Sequence, residues 1–258
     1  MLAGMDDLVI TTLAERPELT DRLYELADAW PEFMLHDPVG TTLFHQVAVT
    51  FPAYSIVATI GGDLVARGRA VPFAFPAEDR TELPDTGWDR VMIWGMSDHR
   101  RGIRPTAASA LEIAIGAGHL GKGLSYVMLD ALRDAVRRQG HDTLYAPVRP
   151  NGKTDPSQPM ASYIQQYRSD GMPVDPWLRV HVRAGGAVVK VAPASMVIPG
   201  SLAEWREWTG LPFDTDGEVH VPGALAPVRV DVAQNHAVYV EPNVWVRHDL
   251  GQGTAVAG

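Results

Sequence analysis

A run of glycines near the middle of the chain has the composition of a ligand-binding turn. Ile115-Gly116-Ala117-Gly118-His119-Leu120-Gly121-Lys122-Gly123-Leu124-Ser125 lies between a segment of strand character and a long amphipathic helix. Glycines let the backbone turn tightly and approach a ligand closely, and the free N–H groups of a helix N-terminus point at whatever lies there. The turn therefore reads as an anion site, most simply for a pyrophosphate. Within it, Lys122 either adds charge near phosphates or is solvated, and His119 either contacts phosphate or is exposed. Just upstream, Glu112 stands between Leu111 and Ile113, an unusual place for a carboxylate in a strand. It is either a general base, acting directly or through a water, or a strand glutamate facing solvent.

Two familiar phosphate loops fit the glycine run poorly. A nucleotide-triphosphate loop needs Gly-Lys-Ser/Thr, and Gly123 is followed by Leu124. Gly116-Ala117-Gly118-His119-Leu120-Gly121 does match the six-position glycine pattern of dinucleotide folds. It lacks the N-terminal strand–helix series and the ribose-binding acid about twenty residues on.

The elements that position these residues follow from periodicity. Leu8–Leu13 reads as a first strand, and Pro17 opens a helix with Leu19, Leu23 and Leu26 on one side. A shorter helical stretch spans 41–49. Residues 54–60 and 64–71 are apolar runs joined by Gly61-Gly62-Asp63, a hairpin signal. From Phe73 to Pro105 the prolines, the charges and Trp88 and Trp94 read as a long loop, a candidate acceptor pocket together with Asp98-His99-Arg100-Arg101. Ala110–Ile115 is a strand, and the helix after the glycine turn places Leu124, Met128, Leu132 and Val136 on one face and stops at Gly140. Thr143–Val148 returns as a strand, which can run parallel to the first. Further on come a short helical piece at 161–167, a helix opened by Asp175-Pro176 and stopped by Gly185-Gly186, and a strand over 187–191. Trp205 and Trp208 share a short helix, and Val238–Val246 has strand character that either closes the sheet or forms a homodimer interface.

This series resembles the GNAT superfamily of acyl-CoA-dependent N-acyltransferases, whose layout is strand, two helices, three-strand meander, helix, strand, helix, strand. The most specific part is Leu111–Leu144. The superfamily's Gln/Arg-x-x-Gly-x-Gly/Ala turn aligns as Leu120-Gly121-Lys122-Gly123-Leu124-Ser125, with Leu120 and Ser125 departing from it. The resemblance implies a mixed α/β fold with a mixed sheet, and acetyl-CoA or a related acyl-CoA as co-substrate, with no metal. It further implies that Leu120, Gly121, Lys122, Gly123, Leu124 and Ser125 hold the pyrophosphate, while backbone amides near Ile113 and Ile115 hold the thioester arm. In Asp175–Gly186, the superfamily's tyrosine falls close to His181, whose imidazole titrates near neutral pH and could protonate the departing sulfur. The alternative for His181 is a hydrogen-bonded histidine in a helix interface.

Composition bounds the remaining choices. The chain has 258 residues, 22 Lys+Arg against 31 Asp+Glu, a formal charge of −9, and no cysteine. Disulfides, thiolate metal sites and a cysteine nucleophile are excluded, and direct transfer in a ternary complex needs none of them. The negative charge argues against non-specific nucleic-acid binding. No basic start with a long apolar run is visible at Met1–Asp7, and no apolar stretch reaches the ~20 residues that span a bilayer, so the expectation is a cytoplasmic protein with no membrane partner. The expected organisation is a core of residues 1–192 with an insertion at 150–174. A C-terminal extension, 193–258, packs on that core and ends in a flexible tail near 250–258. The expected activity is transfer of an acetyl or other short acyl group to a primary amine of a small molecule. The alternatives are a non-catalytic acyl-CoA-binding module, or an acyl-CoA hydrolase or decarboxylase on the same fold.

Overall fold

The computed structural model describes residues 7–27 and 30–251; the start of the chain and most of the expected flexible tail lie outside them. Nine strands form one mixed sheet, in the order β1-β2-β3-β4-β5-β9-β8-β7 with β6 paired to β9. Strand β1 (Leu8–Thr12) pairs with β2 (Ser55–Ile60), which forms the expected hairpin with β3 (Asp63–Phe73) through Gly61 and Gly62, both at positive φ. Between β1 and β2 the single helix expected after Pro17 is instead two 3-10 turns, Pro17–Leu19 and Asp21–Glu25, which still bury Leu19 and Leu23. A π turn (Gly40–Phe44) leads into α1 (His45–Thr50).

The segment expected as a loop between Phe73 and Pro105 contains a four-turn helix, α2 (Gly87–Arg101). Trp88, Val91, Met92 and Met96 are buried at helical spacing, while the interspersed charges and the prolines before it conceal the period. Gly95 lets α2 lie close on β3, since a Cβ there would meet Val71 Cγ2 at 2.1 Å. Asp98, in the segment read as part of a candidate acceptor pocket, is buried and accepts from Arg80 at 2.6 and 2.7 Å.

After α2 come β4 (Ala107–Ile115), α3 (Leu124–Arg138) and β5 (Thr143–Val148), the strand–turn–helix–strand unit read from the sequence. A one-turn helix α4 (Met160–Tyr163) precedes α5 (Pro176–Arg183). The Asp175 carboxylate caps α5 at Trp177 and Leu178 and also accepts from Gly152 N–H and Tyr163 O–H, at 2.7 and 3.0 Å, which ties the 150–174 segment to the helix.

Strand β6 (Ala187–Ser201) continues ten residues past the expected 191, so the expected boundary at 192/193 falls inside it. Helix α6 (Leu202–Thr209), β7 (Gly217–Val219) and β8 (Val228–Asp231) follow, and β9 (His236–Asp249) enters the sheet between β5 and β6. Both edges of β9 are thus used within the chain. One face of the sheet packs α3 and α5 through Leu124, Met128, Leu132 and Leu178. The other packs α2, α6 and the early turns around Phe33, Trp88, Trp205, Tyr239 and Trp245. Among the described residues no helix is long and apolar enough to cross a membrane.

Candidate active site

Strands β4 and β5 run parallel, but only Ala108–Leu144 and Ser109–Tyr145 are paired. Beyond Ser109 the two strands diverge, which leaves the β5-facing edge of β4, including Ile113 and Ile115, without a strand partner. The glycine turn and the N-terminus of α3 stand at the mouth of this opening. Gly121 (φ 73°) and Gly123 (φ 80°) adopt left-handed backbone, and no side chain caps α3. A Cβ at Gly121 would meet nothing within 4 Å, and Leu120 is 62% exposed. Lys122 is exposed, Leu124 is buried as the first helical residue, and Ser125 is half-buried. Open space, uncommitted helix N–H groups and the positive end of the α3 dipole make this a fitting cradle for a phosphate-bearing group.

A bulge in β4 sets the direction of Glu112. Arg69 faces Glu112 and Ala70 faces Ala110, so Leu111 is the extra residue. Ala108 and Ala110 face α3, as do Ile113 and Ile115 further along, whereas Leu111 packs on the opposite face. The extra residue thereby turns Glu112 away from α3, onto the face shared by Arg67 and Arg69 of β3. There its carboxylate receives Arg67 Nε at 3.1 Å and Nη2 at 2.9 Å, with Arg69 Nε at 3.4 Å. Arg67 Nη1 also donates to the carbonyls of Leu23 and Leu26, at 2.6 and 2.7 Å, and the Arg69 guanidinium stacks 4.3 Å over Phe44. Glu112 is buried, so it is not a glutamate facing solvent. Arg67 and Arg69 were not singled out in the sequence. Their signal is two arginines at alternate positions in an otherwise apolar strand.

His181 lies on α5. It is buried, and its Nδ1 is 2.9 Å from Nε2 of His248 on β9. Burial, reinforced by mutual repulsion, pushes the pKa of His181 down to about 3, and burial pushes His248 down to about 4. Both rings are therefore neutral at physiological pH. Gly186 makes room for the pair, since a Cβ there would meet His248 Cε1 at 2.7 Å.

Across the opening from Glu112, a second polar group faces the same side of the sheet. Glu241 of β9 is fully buried and accepts from Tyr239 O–H at 2.6 Å and Asn243 Nδ2 at 3.1 Å. Arg149, just past β5, places Nε 2.7 Å from Glu241 and lies 5.7 Å over the Trp30 ring. The sequence hides this cluster because its members are 92 positions apart, from Arg149 to Glu241. Among the described residues no group of three or more His, Asp or Glu side chains could hold a metal ion.

A strand pair that opens beside an uncapped helix N-terminus is the arrangement expected of an acyl-CoA N-acyltransferase. The arginine N-acetyltransferase avaD of Aspergillus versicolor is 31% identical to this chain over 274 aligned residues, covering 93% of each. The chain belongs to the GNAT superfamily and is an N-acetyltransferase. No protein-family profile matches it. Among solved structures, the loading GNATL domain of CurA from Lyngbya majuscula superposes with a TM-score of 0.58 at 15% identity, over 94% of this chain and 96% of that one. The GphF GNAT-like decarboxylase in complex with isobutyryl-CoA gives a TM-score of 0.55 at 16% identity, over 94% and 98%. These two likenesses concern the fold.

Proposed function

We propose that the enzyme transfers the acetyl group of acetyl-CoA to the α-amino group of arginine, or of a close arginine derivative, in a ternary complex. The observation that carries this reading is the divergence of β4 and β5 after Ser109 beside the uncapped N-terminus of α3, taken with the activity named for the relative. Acetyl-CoA lies in the opening, its pyrophosphate on the amides of Leu120–Ser125 and near Lys122, and its thioester arm along the free edge of β4 at Ile113 and Ile115. The acceptor enters from the face of Glu112. An arginine guanidinium stays protonated at neutral pH, whereas the α-amine is several units less basic and gives up its proton far more readily, so the α-nitrogen is the nucleophile. Its lone pair forms the new N–C bond, the C–S bond breaks, the amine gives up one proton, and the CoA sulfur gains one.

In this reading Glu112 receives the amine proton through a water, with Arg67 and Arg69 fixing its position. His181, neutral and enclosed with His248, fits a positioning role that holds α5 against β9 better than that of the acid for the sulfur. The test is CoA thiol release with product mass measured for arginine and acetyl-CoA. Acetylated arginine is expected. Acetyl-CoA binding without acetylation of arginine or its derivatives overturns the acceptor, CoA release without an acceptor points to hydrolysis, and absence of acetyl-CoA binding overturns the donor.

A further inference from the structure

A cavity of about 590 Å³ opens past the end of β5, between residues 149–156 and the loop 220–225. Its side-chain polar lining is Arg149, Asn151, Lys153, Thr154 and His220, and it contains no aspartate or glutamate. In a chain with a formal charge of −9, a hollow lined by Arg149 and Lys153 and by no acidic side chain favours an anionic group. Lys153 ties the two walls together: its buried ammonium donates to the carbonyl of Leu225 at 2.7 Å and to that of Asp155.

Arg149 connects this cavity to the transfer site. It lies four residues past Tyr145, the last β5 residue paired with β4, and Glu112 lies three past Ser109, the partner of Tyr145. The two residues therefore stand on opposite arms of the opening and on the same face of the sheet. The Arg149 guanidinium is held by the Glu241 carboxylate at Nε and by the Gly223 carbonyl, 2.6 Å from Nη2. Nη1 has no acceptor among the described residues. A guanidinium fixed on two sides, with donors to spare at the rim of a cation-lined hollow, matches a carboxylate.

We propose that this cavity binds the carboxylate of the acceptor, with Arg149 as the specificity-determining residue, so that the enzyme selects an amino acid over the corresponding amine or amide. The proposal rests on the reading of arginine as acceptor, because in arginine the carboxylate is one carbon from the reacting nitrogen.

Initial rates with arginine, argininamide and the decarboxylated analogue agmatine, at saturating acetyl-CoA, test it. kcat/KM is expected to fall by roughly ten- to a hundredfold for the two acceptors without a carboxylate, mainly through KM, as for loss of a charge-assisted hydrogen bond. Arg149→Lys and His220→Ala are expected to raise the KM for arginine and leave the KM values for argininamide and acetyl-CoA in place. Equal kcat/KM for arginine and argininamide overturns the proposal while leaving acetyl transfer standing, and so does a change confined to the KM for acetyl-CoA. Should none of the three be acetylated, calorimetry decides: binding of arginine but not of argininamide supports the carboxylate site, and equal binding or none overturns it.

Discussion

The indole N–H of Trp88 donates to the carbonyl of Leu111 at 2.9 Å. This bond joins the helix concealed in the sequence to the extra residue that aims Glu112. Trp88→Phe keeps most of the buried ring and leaves the carbonyl without its donor. An unpaired buried acceptor costs about 1–3 kcal/mol, so a loss of that size is expected in denaturant unfolding. A fall in kcat should accompany it, because the bulge sets the direction of Glu112. Unchanged stability and rate would show that the bulge holds without the helix.

Replacing Glu112 by Gln removes the charge that Arg67 and Arg69 share. Breaking a buried ion pair from one side costs about 3–5 kcal/mol, and urea unfolding should report that loss. A proton-accepting role adds a second signature: kcat should fall by at least about tenfold while acetyl-CoA still binds. An unchanged kcat would reduce Glu112 to a structural anchor for the two arginines.

Stability should fall as the pH rises from about 4 to 8 because of Asp37 and Asp89. Both are buried, their side chains are hydrogen-bonded to each other, and Oδ1 of each has no partner. Burial first, and then the charge of Asp37, pushes Asp89 up to about 8. The folded state thus holds a proton that the unfolded chain releases near 4, and this contribution is lost as the pH climbs through that window. Asp89→Asn should unfold at a higher temperature than the parent at pH 8, by about 1–3 kcal/mol in stability, with little difference at pH 4. An equal effect at both values would show that the pair does not share a proton.

The histidine pair acts in the opposite direction. With folded values near 3 and 4 against an unfolded value of about 6.5, the unfolded chain binds protons first. Stability from this pair is therefore present above about pH 6.5 and lost as the pH falls toward 4. His181→Asn should flatten the pH dependence of Tm between 6.5 and 4. A wild-type slope in the variant would assign the acid sensitivity to other groups.

Gly121→Ala tests the anion cradle. The φ of 73° strains any residue with a Cβ, while the open surroundings add no clash within the protein, so a loss of about 1–2 kcal/mol is expected. The KM for acetyl-CoA should rise severalfold with the KM for arginine unchanged. A rise in the acceptor KM alone would place the nucleotide elsewhere.

The strand–turn–helix–strand unit was legible because it is local. Its strand, glycine turn and heptad-like apolar spacing occupy one continuous stretch from Ala107 to Val148, and the Asp175-Pro176 helix start is a local signal of the same kind. Helix α2 was hidden by the charges between its buried residues and by the prolines before it. The sheet partner of the last strand is hidden for a related reason: β9 pairs with β5 nearly a hundred residues away, and no short-range pattern records such a partner.

By itself the sequence determined a cysteine-free, acidic chain of GNAT type, with a glycine turn built for an anion and a carboxylate in the strand before it. Those properties depend on residue type and on spacing within a few turns of the backbone. Only the tertiary structure decided which way Glu112 points, because one bulged residue reverses its face. The same holds for the neutral His181–His248 pair and for the placing of Arg149 opposite Glu112. Each depends on strands brought together from distant parts of the chain, where burial and charge act through space.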